Sequence, residues 1–297
     1  MPAPFVASLC GYRNGKPNTS DANDKQSIDL GDVFFSVLGI PTGTGEPSTP
    51  IGQLMADEVT ADLQKYLKVE APHLSVIPEK PFTGFEQYGH LTAVRALRGD
   101  MSRDVMGAVN AMRIGSSTIV TEDDARDALF AHLDRIQDEI EKAGARQRDL
   151  LDLLGEESLL KLDITVSRES SSPAAPEGGL PHLVAGLSLK WTLRTDRAQD
   201  CRSQGSKLAA LRRGRMPHFA AVTMELRPAM LALLGRGSGD LDCVYHLNLP
   251  ALSDAIDEYC SGSARRARLE IRDKFRRLRD QRRLRDYDEL CGYLATL

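Results

Sequence analysis

LVAGLSLKWTLRTDRAQDCRSQG (183–205) decides the fold. Its first half alternates. Leu187, Leu189 and Trp191 share one face, and Ser188, Lys190 and Thr192 share the other, so Leu183 to Leu193 reads as a strand. The period then changes, and Ala198 to Leu211 reads as a helix ended by Gly214. Upstream, Lys161 to Ser167 alternates again, with Leu162, Ile164 and Val166 against Asp163, Thr165 and Ser167. Downstream, His218 to Glu225 and Leu241 to Leu247 supply two further strands. Strand, strand, helix, strand, strand predicts an α/β fold: a mixed β-sheet core flanked by helices.

The rest of the chain is read outward from that core. Gly52 to Leu67 is a helix, because Leu54, Met55, Val59, Leu63 and Leu67 recur at helical spacing. Phe85 to Leu97 is a second helix. Thr121 and Asp124 cap a third, which carries Ala125, Leu129, Leu133, Ile136 and Ile140 on one face. Gly144 ends it, and a shorter leucine-rich helix follows to Leu154. Residues 12–31, rich in Asn, Asp, Gly and Lys, read as a loop or ordered arm. Leu30 to Ile40 is a short apolar segment, and 42–50 is a loop. RESSSPAAPEGG (168–179) is a flexible surface loop between two strands of one sheet, so 1–297 reads as a single domain. Residues 100–150 form a helical insertion, and 263–285 a basic C-terminal helix.

With 297 residues, 41% hydrophobic and 27% charged, the chain is long enough for a large unassisted core and too apolar for a disordered one. No apolar run approaches the ~20 residues of a membrane span, and no basic n-region follows Met1, so no leader is expected. The five cysteines are scattered and form no CxxC pair, against both a disulfide framework and a zinc site. The expected compartment is the reducing cytoplasm. The six histidines show no metal spacing, and TGTGEP lacks the GK[ST] of a phosphate loop. The net charge of −4 hides an asymmetry: 263–285 holds ten Arg and one Lys against Glu270, Asp273 and Asp280. That tail admits two readings, a solvated helix with an Asp273–Arg277 pair or a phosphate-binding surface.

Asp163 and Lys190 lie on polar strand faces close in sequence. A carboxylate that holds a divalent cation against a phosphate, with a lysine beside the attacking water, is the chemistry of metal-dependent phosphodiester hydrolysis. The same two residues are equally at home as inert groups on a solvated face. Four to seven residues after Lys190 stand Arg194, Asp196 and Arg197. Two forks for guanine and one acceptor for a cytosine amino group suit a GG·CC half-site, which two-fold symmetry completes to CCGG. Otherwise they are a surface ion pair of little consequence. Trp191, between the two groups, is read as core packing that fixes both. One Trp and few aromatics argue against a single-strand stacking platform.

The chain here resembles a known family. SLKWTLRTDRAQDCRSQG (188–205), RRGRMPHFAAVTMEL (212–226) and GSGDLDCVYHLNL (237–249) look like the NgoMIV-type type II restriction endonucleases, the CCGG-cutting branch of the PD-(D/E)xK nucleases. GFEQYGHLTAV (84–94), LLGEESLLKLDITVSR (153–168) and RRLRDYDEL (282–290) extend the likeness, while 100–150 looks like this chain's own insertion. The resemblance implies a Mg²⁺-dependent enzyme that cuts duplex DNA at a CCGG-centred palindrome, GCCGGC in full, as a dimer of dimers. Asp163 stands at the metal-binding aspartate, Ser188 and Lys190 at the S-x-K, and the Leu189 carbonyl faces the metal. Arg194, Asp196 and Arg197 match the CCGG readers. Two glutamates of the family are missing. Gln204 occupies one position, and Asp200, one helical turn earlier, is the candidate to take over as metal ligand. The other falls near Gln53 or Ala56, with Glu58 the nearest candidate. The family's outer-base arginine aligns with Met230, and Arg227 is the candidate to replace it. The alternative is a sequence-specific DNA-binding homologue with weak or no turnover.

Overall fold

In a computed structural model of the chain, residues 3–92, 101–119, 123–154, 161–170, 179–237, 239–261 and 266–297 are described. They divide into two compact units, Met1–Tyr88 with Lys161–Leu297, and Gly89–Leu160. The first begins with a short helix α1 (Val6–Leu9), a hairpin of β1 (Tyr12–Arg13) and β2 (Lys16–Pro17), then α2 (Lys25–Val37), α3 (Ile51–Glu70) and β3 (Leu74–Pro78). The second unit is helical: α4 (Met101–Ile119) and α5 (Asp123–Leu154) pack on each other, burying Val109 and Leu133. The first unit resumes with β4 (Ile164–Arg168), β5 (His182–Lys190), α6 (Thr195–Leu211), β6 (His218–Thr223), α7 (Pro228–Leu234), β7 (Cys243–His246), α8 (Leu249–Cys260), α9 (Arg266–Asp280), β8 (Leu284–Asp286) and α10 (Tyr287–Leu294).

The six strands β3 to β8 lie in sequence order in one sheet. β3, β4 and β5 are antiparallel; β5 to β8 are parallel. This is the mixed α/β sheet expected from the sequence. β5 runs through its centre as LVAGL, buried on both faces, as a strand between helical layers must be. Helix α6 lies between β5 and β6 in sequence and buries Ala198, Cys201, Gly205 and Leu208, which recur every three or four residues. Among the described residues no helix is long and apolar enough to cross a membrane. All five thiols are free and buried.

Several local expectations need correction. Residues 12–31 are not a loop: they hold the β1–β2 hairpin and the first half of α2, which is capped by Asp24 through Gln26 N–H (3.0 Å). Phe82–Gly84 and Glu86–Tyr88 are single 3₁₀ turns where the expected helix was to start; Leu91 and Thr92 are helical, and 93–97 lie outside the described residues. The two turns bury Phe82, Phe85 and Tyr88, whose spacing of three suits a three-residue turn. Gly144 does not end its helix, which runs unbroken to Leu154; one glycine costs about 1 kcal/mol, too little to stop 32 residues. Of the expected helix 263–285, residues 263–265 lie outside the described residues, Arg266–Asp280 is helical, and Leu284–Asp286 is an edge strand. Asp273 and Arg277 form no pair among the described residues, whereas Arg276 reaches Asp257 (3.1 Å). Most of the 168–179 loop, 171–178, lies outside the described residues.

His246, at the end of β7, is fully buried; its Nδ1 accepts the Asn248 N–H (3.1 Å). Burial pushes its pKa down to about 3. An unfolded chain protonates this side chain near pH 6.5, and the folded chain does not until about pH 3. The His246 contribution to stability is therefore complete above pH 6.5 and is lost as pH falls toward 3, by about 1.4 kcal/mol per unit. His246→Asn should narrow the gap between urea midpoints measured at pH 7.5 and pH 5; an unchanged gap would count against this assignment.

Candidate active site

β4 and β5 pair with Ile164 opposite Leu187, so the residue before β4, Asp163, comes opposite Ser188. The two-residue period puts Lys190 on the same face as Ser188. The consequence is a cluster around one carboxylate oxygen. Asp163 Oδ2 accepts the Leu189 N–H at 2.6 Å and lies 3.4 Å from Ser188 Oγ and 3.5 Å from Lys190 Nζ. Asp163 Oδ1 accepts nothing among the described residues. Ser188 Oγ also lies 3.0 Å from Gln204 Oε1, so the strand hydroxyl links the carboxylate to helix α6. A strand residue sends its N–H and C=O to the same edge, and the Leu189 carbonyl therefore faces the Asp163 side with its amide. Lys190 and Asp163 are only partly open to solvent, their side chains 18% and 36% exposed.

Four of the expected residues, Asp163, Ser188, Lys190 and Gln204, thus come together. Asp200 is exposed one turn before Gln204. Its charge is felt at the neighbouring Cys201 thiol: burial lifts that pKa to about 11, Ser188 and Lys190 oppose the rise, and Asp163 and Asp200 add to it. Glu58, on α3, makes no bond to the cluster. Among the described residues no three His, Cys, Asp or Glu side chains form a metal-holding group.

Gly205 fixes the height of Gln204 over the sheet. A Cβ there would lie 1.8 Å from the Asp240 carbonyl oxygen. The same loop grips α6 from the side, where Asp240 accepts Arg202 Nε (3.0 Å) and Ser206 Oγ (2.7 Å). Backbone cannot yield as a side-chain tip can, so Gly205→Ala should cost about 1–3 kcal/mol. Urea unfolding measures it, and a loss under about 0.5 kcal/mol would contradict the close approach.

Past Lys190 the chain leaves the sheet, and Arg194 becomes the residue before α6, with no side-chain cap on the helix. Arg194, Asp196 and Arg197 are all exposed there. Trp191 is buried, as expected of a residue fixing both groups, and its indole Nε1 donates to the Asn18 carbonyl (2.9 Å). Leu193, one residue before Arg194, is held at both backbone groups. Its N–H donates to Glu225 Oε2 (2.7 Å), and its carbonyl accepts Arg227 Nη2 (2.7 Å). Arg227 is itself locked: Nε and Nη2 bond Glu225 (2.8 and 3.0 Å), and Nη1 bonds Asp21 (2.9 Å). Burial disfavours its charge, yet Glu225 and Asp21 hold its pKa above the ordinary arginine value. Arg227 lines the same cavity as Arg194 and Arg197, with four of its donors already in use. Glu225 and Asp21 escaped the sequence reading. The signal was a single acid at the end of the apolar run HFAAVTME, which burial obliges to find a cation.

A cavity of about 660 Å³ opens beside this segment, its wall including Arg194, Arg197 and Trp191 together with Arg13 and Lys16 of the hairpin. A sequence profile of the NgoMIV restriction enzyme family matches residues 171–295. The chain is also 30% identical over 194 residues to the type II restriction enzyme NgoMIV of Neisseria gonorrhoeae, an alignment covering 59% of this chain and 61% of that protein. The chain thus spans about three-fifths of that relative's length. Both matches mark similarity to the NgoMIV restriction enzyme family, and the family profile spans the segment that carries Ser188, Lys190 and the Arg194–Arg197 run.

Proposed function

We propose that the chain is a type II restriction endonuclease that hydrolyses both strands of duplex DNA at a CCGG-centred palindrome, GCCGGC in full. The observation that carries this reading is the convergence on Asp163 Oδ2 of three donors from β5, four residues before two exposed arginines on a cavity wall. The residues fit a divalent cation, for which we propose Mg²⁺: Asp163 Oδ1, without a partner among the described residues, the Leu189 carbonyl and the Gln204 amide oxygen are hard donors in or next to this cluster. When bound, the cation supplies positive charge against the phosphate and a more acidic water. The Leu189 N–H fixes the carboxylate. Ser188 lies between the carboxylate and the Gln204 amide and can donate its one hydrogen to either. Lys190 puts its charge beside the scissile phosphate and orients the water for in-line attack. Arg194 and Arg197 take guanine edges, and Asp196 accepts from cytosine. A palindrome requires two such copies, and we propose a homotetramer, a dimer of dimers, acting in the cytoplasm.

A randomised plasmid library incubated with Mg²⁺, with the cut ends sequenced, tests the reading. CCGG should sit at the centre of every cut, and cuts lacking it would refute the assignment. One observation favours a second reading, a DNA-binding homologue with weak turnover: Gln204 is neutral, and among the described residues no three His, Cys, Asp or Glu side chains form a metal-holding group. That reading predicts CCGG binding without cleavage in Mg²⁺ or Mn²⁺. The role proposed for Asp200 has its own test. Asp200→Ala should raise the Mg²⁺ concentration for half-maximal cleavage by about 10-fold or more. An unchanged titration would mean the carboxylate has not taken over the place of the missing glutamate.

A further inference from the structure

The β1–β2 hairpin has no part in the cluster around Asp163, yet it is built as a presenting device. Its turn is Asn14-Gly15, both with positive φ (50° and 72°), the conformation a two-residue type I′ hairpin turn demands. Arg13 and Lys16 face each other directly across that turn. An isolated pair of two-residue strands would be marginal in water, and this one is fastened on several sides. Tyr12 N–H donates to Thr44 (2.7 Å), Asn18 N–H to Gly11 (2.9 Å), and the Asn18 side chain to Leu9 (2.9 Å). The Trp191 indole closes on Asn18 from the segment between Lys190 and Arg194. The hairpin is thereby tied to the end of the strand that carries Lys190.

Its two cations differ in how they are held. Glu46 takes Arg13 through Nε alone (2.6 Å), and the side chain stays 73% exposed. The guanidinium plane is steadied, while both Nη groups are without a partner among the described residues. That is an arginine prepared for a two-pronged acceptor, as guanine O6 and N7 provide. Lys16 Nζ gives one of its three donors to the Ala22 carbonyl (2.7 Å) and remains a flexible point charge suited to a phosphate oxygen. Both line the cavity shared with Arg194 and Arg197. Arg227, the remaining cation of that wall, is already committed to Glu225 and Asp21.

We propose that this hairpin is a second DNA-reading element: Arg13 reads a guanine edge in a base pair flanking the central four, positioned by Glu46, and Lys16 contacts the DNA backbone. A two-stranded ribbon fits the major groove. The proposal rests on the nuclease reading above.

The test uses the full chain and plasmids carrying CCGG with randomised flanks, comparing the parent with Arg13→Ala, Arg13→Lys and Lys16→Ala. The parent should prefer guanine at one flanking position. Arg13→Ala should lose that preference by about 10- to 100-fold while its cuts still centre on CCGG, and Arg13→Lys should not restore it. Lys16→Ala should weaken binding to all flanks alike and lower the salt dependence by about one charge. Arg13→Ala cuts that centre on CCGG with an undiminished flank preference would overturn the role of the hairpin alone. A parent that neither binds nor cuts at CCGG would overturn the nuclease reading, and the hairpin proposal with it.

Discussion

Lys190→Ala should stop cleavage and leave binding to a CCGG duplex nearly intact. Nζ sits 3.5 Å from Asp163 Oδ2 on the solvent side of the cluster, with 18% of its side chain exposed. The Leu189 N–H, at 2.6 Å, holds the carboxylate without it. Removing the ammonium therefore leaves the fold and the Arg194–Arg197 segment in place. On the proposed reading it takes away a positive charge beside the scissile phosphate. Deleting a single group of that kind typically costs 10²- to 10³-fold in turnover, about 3–4 kcal/mol of transition-state stabilisation. Single-turnover cleavage and a gel-shift titration on the same duplex separate the two effects. Cleavage within a few-fold of the parent would remove Lys190 from the chemistry.

Glu225→Ala should be the most damaging substitution for stability. The carboxylate is fully buried and accepts from Leu193 N–H, Arg227 N–H and the Arg227 guanidinium. Its loss leaves a cation that is 14% exposed with Asp21 (2.9 Å) and, more distantly, Asp24 (4.0 Å) as acidic partners, and a buried backbone N–H with none. Breaking a buried pair from one side costs about 3–5 kcal/mol. Replacing both partners with apolar residues, Glu225→Leu with Arg227→Met, should cost less than the sum of the single changes, because no orphaned charge remains. Urea unfolding of the four proteins gives the coupling directly. Additivity within about 0.5 kcal/mol would show that the two side chains do not act as a unit.

How much of this could be read from the sequence depended on period and burial. Asp163 and Lys190 were legible because a strand's two-residue period fixes which side chains share a face, whereas Ser188 and Gln204 entered only through the family resemblance. The sheet was legible at β5 and β6, where apolar runs are long. β3 and β8 were not, since an edge strand of three to five residues carries too few alternations. The hairpin and α2 were hidden for a different reason. Polar composition across 12–31 resembles a loop, although Asn14-Gly15 and the cap at Asp24 were both present. The lock on Arg227 was out of reach altogether, because its partner Asp21 lies 206 residues away in the chain.

The most direct measurement is a crystal structure of the protein with a CCGG-centred duplex and a divalent cation. The account predicts the cation against Asp163 Oδ1 and the Leu189 carbonyl at the cleaved phosphate, with the Arg194 and Arg197 guanidinium groups on guanine edges. A cation held elsewhere, or those two arginines turned away from the groove, would contradict it.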